Sequence, residues 1–293
     1  MRKIGIIGLG LLGGAVAGRL LKAGIAVIGY DVRAEVVGPL AREGLSPAAD
    51  VAAVVREAEA VFVILPSLDS VDKVVRGPEG VLDSALPETV VLQMSTISPP
   101  LTKALGEAAD ARRIGFLDTP MSGTASMVAK GDCTIFVGGD AALAERCRPV
   151  FEAIAKRFVH VGAVGDACLA KLATNLLVGL NTVAVAEALV LGAKGGLEPA
   201  RLLEVLRQSA AASRMLEVRG PLMVERRFEP QMKTELFLKD FHLMLEEGRR
   251  LGVALPLTGL AEQLCTATCA SGRGQEDIAA VITTIERLAG EGG

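Results

Sequence analysis

The chain has 293 residues, of which 51% are hydrophobic and 22% charged, with a formal net charge of −3 at pH 7. At about 150 residues per domain this length predicts two domains, and the apolar content excludes a disordered chain. The weakly negative charge, without a basic stripe, excludes the electrostatic footprint of a nucleic-acid-binding protein. The absence of Trp and the single Tyr argue against aromatic platforms for single strands.

The five cysteines are odd in number and scattered, and neither histidine, His160 or His242, lies in a Cys/His cluster. We therefore expect neither a disulfide framework nor a zinc site, and no metal ion. Small buried cysteines in a reducing cytosol are expected, which favours a cytoplasmic protein. The longest uncharged run, 172–186, is too short to span a bilayer, so no membrane partner is expected.

The N-terminus allows two interpretations. A basic start followed by the uncharged segment 4–18 resembles a secretory signal peptide. Six glycines in that segment are poor material for an apolar signal core. We therefore favour a buried first strand followed by a glycine-rich turn.

The first half of the chain alternates short apolar runs with helical patterns. The runs show no apolar–polar alternation, which indicates strands buried on both faces. Strand–helix–strand repetition implies right-handed crossovers, so we predict an α/β domain with a Rossmann-type, doubly wound, mainly parallel sheet. The predicted strands are 3–8, 25–30, 60–66, 89–94, 114–118, 133–138 and 157–162.

The second half shows no convincing strand after Gly165 and is predicted to be all-helical. Asp166–Lys194 is predicted as one long helix, with Ala and Leu around much of its circumference, as expected of a helix buried between partners. Shorter helices are predicted around 199–208, 234–251, 256–270 and 276–289. The predicted domains are therefore 1–163 and 164–293, joined by the long helix, and the end at 290–293 is expected to fray.

The pattern G-x-G-x-x-G occurs between an apolar strand and a helix, at Gly8, Leu9, Gly10, Leu11, Leu12 and Gly13. In that context it is typical of a dinucleotide-binding turn. Gly8 would allow the tight turn, Gly10 the approach of a pyrophosphate, and Gly13 close packing of helix on sheet. The helix N-terminus offers N–H groups and a partial positive charge to phosphates. The alternative is a structural turn that binds nothing.

Asp31 ends the second predicted strand, about 20 residues after the glycine turn. A carboxylate at this position binds the ribose hydroxyls and repels a 2′-phosphate, so NAD is the favoured cofactor. Arg33 keeps NADP possible, because a nearby arginine accommodates that phosphate. The alternative for Asp31 is an ordinary turn residue or the N-cap of the helix through Glu35.

Further loops follow strand ends, where ligands bind in open α/β sheets. Leu65 and Pro66 are expected to line the nicotinamide half of the groove. Ser95 and Thr96 are expected there too, but they would serve equally as caps of the next helix. The loop 118–124 is rich in Ser, Gly and Thr, and its backbone N–H groups suit a substrate carboxylate. A plain surface turn is the alternative for that loop.

Lys171 and Asn175 are four residues apart, so they share a face of the long predicted helix. A lysine among Ala and Leu is costly in an apolar core, so it must reach solvent or face a polar cleft. In a cleft between domains, desolvation would lower its pKa, which suits a proton donor and acceptor at neutral pH. Asn175 is placed to hydrogen-bond the lysine or a substrate. The alternative is a solvent-facing lysine beside a helix-packing asparagine.

Together these motifs resemble the β-hydroxyacid dehydrogenase family, which includes 3-hydroxyisobutyrate dehydrogenase and tartronate semialdehyde reductase. The resemblance covers essentially the whole chain, with several motifs in the family's order and spacing. The motifs are GLGLLG at 8–13, ILP at 64–66, MSTISP at 94–99, DTPMSG at 118–123, VGAVGDACLAKLATN at 161–175, AEALVLGAKGGL at 186–197 and LKD at 238–240.

The resemblance implies roles for the matching residues. Lys171 would be the catalytic acid/base, and Asn175 would orient the substrate and the lysine. The implied substrate-binding residues are Ser122 and Gly123, and we count Thr124, at the next position of the same loop, with them. The implied cofactor contacts beyond the glycine turn are Leu65, Pro66, Thr96 and, from the second domain, Lys239.

The resemblance also implies an activity and an assembly. The activity is NAD(P)-dependent hydride transfer at the hydroxyl carbon of a small 3-hydroxy acid, or reduction of a carboxylate-bearing semialdehyde. The assembly is a homodimer or homotetramer formed through the helical domain. The chain departs from the family's pattern near the implied substrate site, at Thr124, Asp166, Cys168 and Thr174.

Three alternatives stay open. A decarboxylating enzyme like 6-phosphogluconate dehydrogenase shares the architecture but needs a longer helical domain and basic residues for a sugar phosphate. An imine (C=N) reductase on the same scaffold generally lacks the lysine found here as Lys171. A non-catalytic NAD-binding regulator would not need the set formed by Lys171, Asn175 and Ser122.

Overall fold

A computed structural model describes residues 1–290 of the chain. The chain divides into two compact units, one that ends at Lys171 and one that begins at Leu172. The division at 171/172 falls inside one continuous helix, eight residues beyond the predicted boundary at 163/164. The predicted fraying of the C-terminal end concerns mainly residues 291–293, which lie outside the described residues.

The first unit is built on a sheet whose strands are β1 (Lys3–Ile7), β2 (Ala26–Tyr30), β3 (Ser46–Pro47), β4 (Ala60–Val63), β5 (Val90–Gln93), β6 (Gly115–Asp118), β7 (Met121–Ser122), β8 (Thr134–Gly139) and β9 (Arg157–Gly162). Their order is β3-β2-β1-β4-β5-β6-β8-β7, with β9 paired to β8. β1 to β6 pair in parallel, and β8 runs antiparallel to β6 and β7. The sheet is thus mainly parallel, which confirms the predicted fold class.

Helices cover both faces of this sheet. They are α1 (Leu11–Lys22), α2 (Ala34–Arg42), α3 (Val51–Glu57), α4 (Leu68–Arg76), α5 (Val81–Ser84), α6 (Pro99–Asp110), α7 (Ala125–Ala129) and α8 (Ala141–Ile154). Ile4 and Ile6 of β1 belong to one buried cluster with Phe62, whereas Ile7 belongs to another with Val61. Successive side chains point to opposite faces, so the strands need apolar residues throughout, as the sequence shows.

Two short strands, β3 and β7, are not predicted by the sequence patterns. Each has two residues, which is too few to show a periodicity. β7 turns part of the predicted loop 118–124 into a strand paired with β8. β4 ends at Val63, so residues 64–66 of the predicted strand form the loop that follows it.

The second unit is helical. Its only β structure within residues 172–290 is an isolated bridge between Lys233 and Asp277. Its helices are α9 (Asp166–Lys194, which begins in the first unit), α10 (Pro199–Arg207), α11 (Arg214–Val224), α12 (Thr234–Leu251), α13 (Pro256–Thr268) and α14 (Val281–Leu288), with a π-helical segment (Cys269–Arg273) and a 3-10 turn (Ile278–Ala280). The bounds of α9 and α12 match the predicted ones. The sequence patterns do not predict α11, because Gly220 and Pro221 interrupt its helical pattern.

Helix α9 is apolar over most of its length. Its most apolar window of 18 residues has a mean hydropathy of 1.9, enough by length and composition to cross a membrane. The core helix of a soluble protein meets the same criterion, so this is weak evidence for a membrane span. Within the chain 39% of that window is buried, while Leu177 and Leu191 are 59% and 76% exposed. Part of its apolar surface is therefore left uncovered by residues 1–290.

A buried ion pair ties α11 to the segment before α14. Arg219 Nε donates to Asp277 Oδ1 at 3.2 Å, and the two side chains are 4% and 0% exposed. The Asp277 carboxylate also accepts the backbone N–H groups of Gln231, Met232 and Ala279. Removing this carboxylate would leave a buried guanidinium without its opposite charge.

We expect Asp277→Ala to lower the free energy of unfolding by about 3–5 kcal/mol, because it breaks a buried pair on one side. The measurement is urea unfolding followed by circular dichroism of the helical signal. The exposed pair of Arg112 and Asp83, 45% and 41% exposed at 2.9 Å, gives a matched control. Asp83→Ala should cost less than about 1 kcal/mol, and equal losses in the two variants would contradict this account.

Candidate active site

The glycine turn after β1 is closed so tightly that two of its glycines have no room for a side chain. Gly8 has φ +96°, and a Cβ there would stand 2.1 Å from the carbonyl oxygen of Ile64. A Cβ on Gly13 would stand 1.9 Å from the carbonyl oxygen of Gly8. Both glycines are therefore required by the backbone itself, which agrees with the roles expected from the pattern.

Gly10 differs because open space lies beside it. The nearest atom to a Cβ on Gly10 is the tip of the Arg33 guanidinium, at 3.3 Å. Gly10 is also the N-cap of α1, and within residues 1–290 no side chain caps this end of the helix. The first-turn N–H groups and the helix dipole thus face an anion-binding position that a pyrophosphate fits.

Asp31 lies at the end of β2 beside this turn. Its Oδ2 accepts the Leu9 N–H at 2.8 Å, and its Oδ1 accepts the Arg33 N–H at 2.9 Å. The Arg33 guanidinium also pairs with it, with Nε 3.1 Å from Oδ1. Burial opposes ionisation, but the hydrogen bonds from Arg33 and Leu9 outweigh it and hold the pKa of Asp31 below its usual value. The N-cap of α2 is Arg33, so Asp31 is not the cap considered as an alternative.

Ser95 joins the loops that follow β4 and β5. Its hydroxyl accepts the Leu65 N–H at 2.9 Å and donates to the Val63 carbonyl at 3.1 Å. The buried Gln93 amide bonds both the N–H and the carbonyl of Ser95. Ser98 caps α6 instead, accepting the Leu101 N–H, so the cap role considered for Ser95 and Thr96 is wrong. Leu65 and Thr96 are half-buried and Pro66 is exposed in these loops.

The loop that follows β6 contains the three expected substrate-binding residues. Ser122 pairs with Thr134 of β8. Gly123 has φ +149°, and a Cβ there would stand 2.9 Å from the Cβ of Cys133, so a side chain is excluded. Thr124 caps α7 by accepting the Met127 N–H at 3.4 Å. All three are half-buried, so the segment is ordered by β8 and α7 rather than forming a plain surface turn.

Asp118, the last residue of β6, is fully buried and bonded to the start of α9. Its Oδ2 accepts the N–H groups of Gly165 at 3.2 Å and of Cys168 at 2.8 Å, and its Oδ1 accepts the Cys168 thiol at 3.1 Å. Burial raises the pKa of Asp118 to about 6, against the opposing effect of these hydrogen bonds. The start of the helix that carries Lys171 is thereby attached to the carboxyl end of the sheet.

Lys171 is 9% exposed, which excludes the solvent-facing alternative considered for it. It is the last residue of the first unit, and Asn175 lies four residues later on the same helix. Residues four apart lie on one face of an α-helix. The two side chains therefore project from the same side of α9.

In the second unit, Asp240 connects two of the expected site residues. Asn175 is 3% exposed, and its Nδ2 donates to Asp240 Oδ2 at 2.7 Å. The Lys239 ammonium lies 3.2 Å from Asp240 Oδ1, as an ion pair rather than an aligned hydrogen bond. The structure thus brings Asn175 and Lys239 together through a buried carboxylate.

The expected residues of the first unit share one edge of the sheet. The glycine turn, Asp31, the loops at 64–66 and 94–98, and the loop 119–124 follow the carboxyl ends of parallel strands. That edge is where open α/β sheets bind ligands. The glycine cradle, the uncapped helix and Asp31 fit a dinucleotide. In residues 1–290 no group of three or more His, Cys, Asp or Glu side chains is placed to hold a metal ion.

Three residues of this arrangement were not assigned roles by sequence reasoning: Asp118, Ser95 as a loop bridge, and Asp240. Asp118 and Asp240 stand in the motifs DTPMSG and LKD, so their positions carried a signal. The signal did not reveal their partners, which lie 50 and 65 residues away along the chain.

Comparisons with known proteins agree with this arrangement. The family model described as the NAD binding domain of 6-phosphogluconate dehydrogenase matches residues 3–162. The model described as NAD-binding of NADP-dependent 3-hydroxyisobutyrate dehydrogenase matches residues 165–285. The 2-hydroxy-3-oxopropionate reductase of Escherichia coli is 35% identical, over 98% of this chain and 98% of its own. The 2-(hydroxymethyl)glutarate dehydrogenase of Eubacterium barkeri is 35% identical, over 98% and 96%.

The chain belongs to the β-hydroxyacid dehydrogenase family. As a member of this family it is an NAD(P)-dependent oxidoreductase. The structure of 3-hydroxyisobutyrate dehydrogenase from Salmonella typhimurium has a TM-score of 0.88 at 29% identity, covering 97% of this chain and 99% of that one. An imine reductase from Myxococcus stipitatus has a TM-score of 0.62 at 20% identity, covering 97% and 99%, a likeness that shows the fold alone.

We expect Gly10→Ala to weaken NADH binding at least about tenfold, because the new methyl group occupies the approach to the α1 N-terminus. The fold should survive, since only a flexible arginine tip must move. The matched control is Gly14→Ala, whose Cβ would make ordinary contacts at 3.6 and 3.8 Å. Fluorescence titration with NADH should show normal binding for Gly14→Ala. Normal binding by both variants would exclude a pyrophosphate at this turn.

Proposed function

We propose that the protein interconverts a small 3-hydroxy acid, such as a 3-hydroxyisobutyrate-like acid, and the corresponding carboxylate-bearing semialdehyde. The observation that carries the proposal is a buried lysine, Lys171, four residues before Asn175 on a helix attached to the ligand-binding edge of the sheet. Burying a lysine is costly, and a role in proton transfer explains it. The names of both 35%-identical relatives support this class, since each denotes an acid with a hydroxyl or oxo group.

The proposed cofactor residues are Gly8, Leu9, Gly10, Leu11, Leu12, Gly13, Asp31, Leu65, Pro66, Thr96 and, from the second unit, Lys239. The glycine turn and the N-terminus of α1 would hold the pyrophosphate, and Asp31 the adenosine ribose. Leu65, Pro66 and Thr96 would bound the nicotinamide. Bound there, the nicotinamide accepts hydride in oxidation and supplies it in reduction.

Lys171 would move the proton that accompanies hydride transfer. In oxidation its neutral amine accepts the hydroxyl proton of the substrate at Nζ. In reduction its ammonium donates a proton to the oxygen of the former carbonyl. General acid–base catalysis of this kind contributes about 10²–10⁴-fold. The rest of the acceleration would come from orientation of the substrate in the site.

Asn175 and the loop after β6 would orient the substrate. The Asn175 amide is fixed because its Nδ2 donates to Asp240. Its carbonyl oxygen is then directed away from that carboxylate and suits a hydroxyl or ammonium donor. Ser122, Gly123 and Thr124 would bind the substrate carboxylate through backbone N–H groups and hydroxyls. Binding at the carboxylate and at the hydroxyl together defines which carbon faces the cofactor.

NAD is the cofactor we favour over NADP. Asp31 is held in its anionic form by Arg33 and Leu9, and an anion at this position repels a 2′-phosphate. Arg33, which would attract that phosphate, is itself paired with Asp31. NADP binding would require the arginine to leave this partner.

We further propose that residues 1–163 bind the cofactor and residues 164–293 complete the substrate site and mediate assembly into a homodimer or homotetramer. The exposed Leu177 and Leu191 on the apolar helix α9 support an interface between copies of the chain. A cytoplasmic location remains our proposal, supported by the five unpaired cysteines.

Lys171→Ala should lower kcat at least about 100-fold, because it removes the group that moves the proton. NADH affinity should stay near the wild-type value, since the glycine turn is untouched. Steady-state rates and an NADH titration measure the two quantities. Lys194→Ala, at the other end of the same helix, is the control and should keep the wild-type kcat. An unchanged kcat in Lys171→Ala would remove the lysine from the mechanism.

Asp31→Asn should shift the ratio of kcat/KM for NAD and NADP toward NADP by about tenfold or more, because it removes the repelling charge and releases Arg33. Arg33→Ala should reduce residual NADP use and leave NAD use within about threefold. Initial rates with both cofactors give the ratios. A ratio that stays constant in both variants would show that neither side chain selects the cofactor.

A further inference from the structure

Asp118 is the last residue of β6, directly before the loop 119–124, and its carboxylate has no exposed surface. A buried ionised carboxylate is costly unless hydrogen-bond donors surround it. Three donors do so here, and all of them belong to Gly165 and Cys168. The function proposed above does not use this carboxylate.

The two N–H groups that Asp118 accepts lie at the N-terminus of α9. The helix begins at Asp166, so Gly165 immediately precedes it and Cys168 lies in its first turn. Gly165 has no side chain with which to cap the helix, and the Asp166 carboxylate accepts the N–H of Ala163 instead. Two N–H groups at this helix end, those of Gly165 and Cys168, are therefore satisfied from β6, by a residue about 50 positions earlier.

The Cys168 thiol extends the connection to a third segment. Its sulfur donates to Asp118 Oδ1 at 3.1 Å and lies 3.2 Å from the Thr102 hydroxyl of α6. The end of β6, helix α6 and the first turn of α9 thus meet at one carboxylate–thiol pair.

The ionisation states suit this arrangement at neutral pH. Burial raises the pKa of the Cys168 thiol well above its usual value, so the thiol keeps its proton and donates it. Burial also raises the pKa of Asp118, to about 6, and the nearby Asp166 charge acts in the same direction. Hydrogen bonds from Cys168 and Gly165 act against that rise. Near pH 7 the pair is mostly an anionic acceptor facing a neutral donor.

Lys171 lies three residues after Cys168, about 4.5 Å farther along the helix axis. A helix is stiff over one turn, so the position of its first turn determines where the lysine stands. We propose that Asp118 is a positioning residue for Lys171, which caps α9 from the neighbouring strand and fixes the height and rotation at which the helix presents the lysine. The proposal rests on the acid–base role of Lys171 proposed above.

The test compares two side chains of similar size at position 118. Asn keeps an oxygen for the two N–H groups, so Asp118→Asn should keep kcat within about fivefold of wild type. Leu has no acceptor, so Asp118→Leu should lower kcat at least about 50-fold, since a misplacement of about 1 Å is worth up to 10²-fold. NADH affinity should change little in both. The solvent deuterium isotope effect on kcat should rise in Asp118→Leu, because proton transfer by a displaced lysine becomes slower.

A second, less disruptive pair of variants tests the same proposal if Asp118→Leu does not fold. Cys168→Ala removes the thiol donor and should lower kcat about tenfold with a raised solvent isotope effect. Cys168→Ser restores a donor and should recover most of the loss. The matched control is Asp140→Leu, which removes an ordinary local cap, the acceptor of the Leu143 N–H at 2.7 Å. It should lower the melting temperature and leave kcat unchanged, since α8 carries no proposed site residue.

The outcomes separate this proposal from the one on which it rests. Wild-type kcat and isotope effect in Asp118→Leu or Cys168→Ala, measured well below their melting temperatures, would overturn the positioning role and leave that of Lys171 intact. Lys171→Ala is measured in parallel. Wild-type kcat in that variant would overturn the acid–base role itself, and the positioning role with it.

Discussion

The buried carboxylate of Asp118 is the interaction on which the arrangement of the first unit most depends. It ends a central strand, precedes the loop proposed to bind the substrate carboxylate, and bonds the first turn of the helix that carries Lys171. An ionised group without solvent persists only where donors replace its hydration. Those donors are two backbone N–H groups and a thiol, and all of them belong to the first turn of α9 or the residue before it. The hydrogen bonds that solvate Asp118 therefore also place the start of the helix.

In the second unit, two buried carboxylates also order the residues around them, with different consequences. Asp277 accepts three backbone N–H groups and pairs with Arg219, which fixes the join between helices and stabilises the unit. Asp240 holds Asn175 and lies beside Lys239, so it orders residues proposed to meet substrate and cofactor. The glycine turn after β1 is ordered by close backbone packing instead of by a buried carboxylate. There the backbone approaches so closely that side chains are excluded at Gly8 and Gly13.

The sequence predicts those elements whose conformation is determined by a pattern of neighbouring residues. Uncharged apolar runs indicate buried parallel strands, and the bounds of α9 and α12 match the predicted helices because no glycine–proline pair interrupts them. The glycine turn is marked by a pattern of six consecutive residues, so the sequence predicts it too. The strands of two residues, β3 and β7, leave no periodic signal, and α11 is interrupted at Gly220 and Pro221. The partners of Asp118 and Asp240 lie 50 and 65 residues away, where spacing carries no information.

We propose that a dinucleotide turn and a buried lysine serve one oxidoreductase activity on small hydroxy acids. The most direct measurement is the change in nicotinamide absorbance with purified protein, run with NAD and NADP against a panel of small 3-hydroxy acids and carboxylate-bearing semialdehydes. We expect turnover of at least one member of the panel, and faster turnover with NAD than with NADP. Saturable NADH binding without turnover of any panel member, together with reduction of imines, would contradict it.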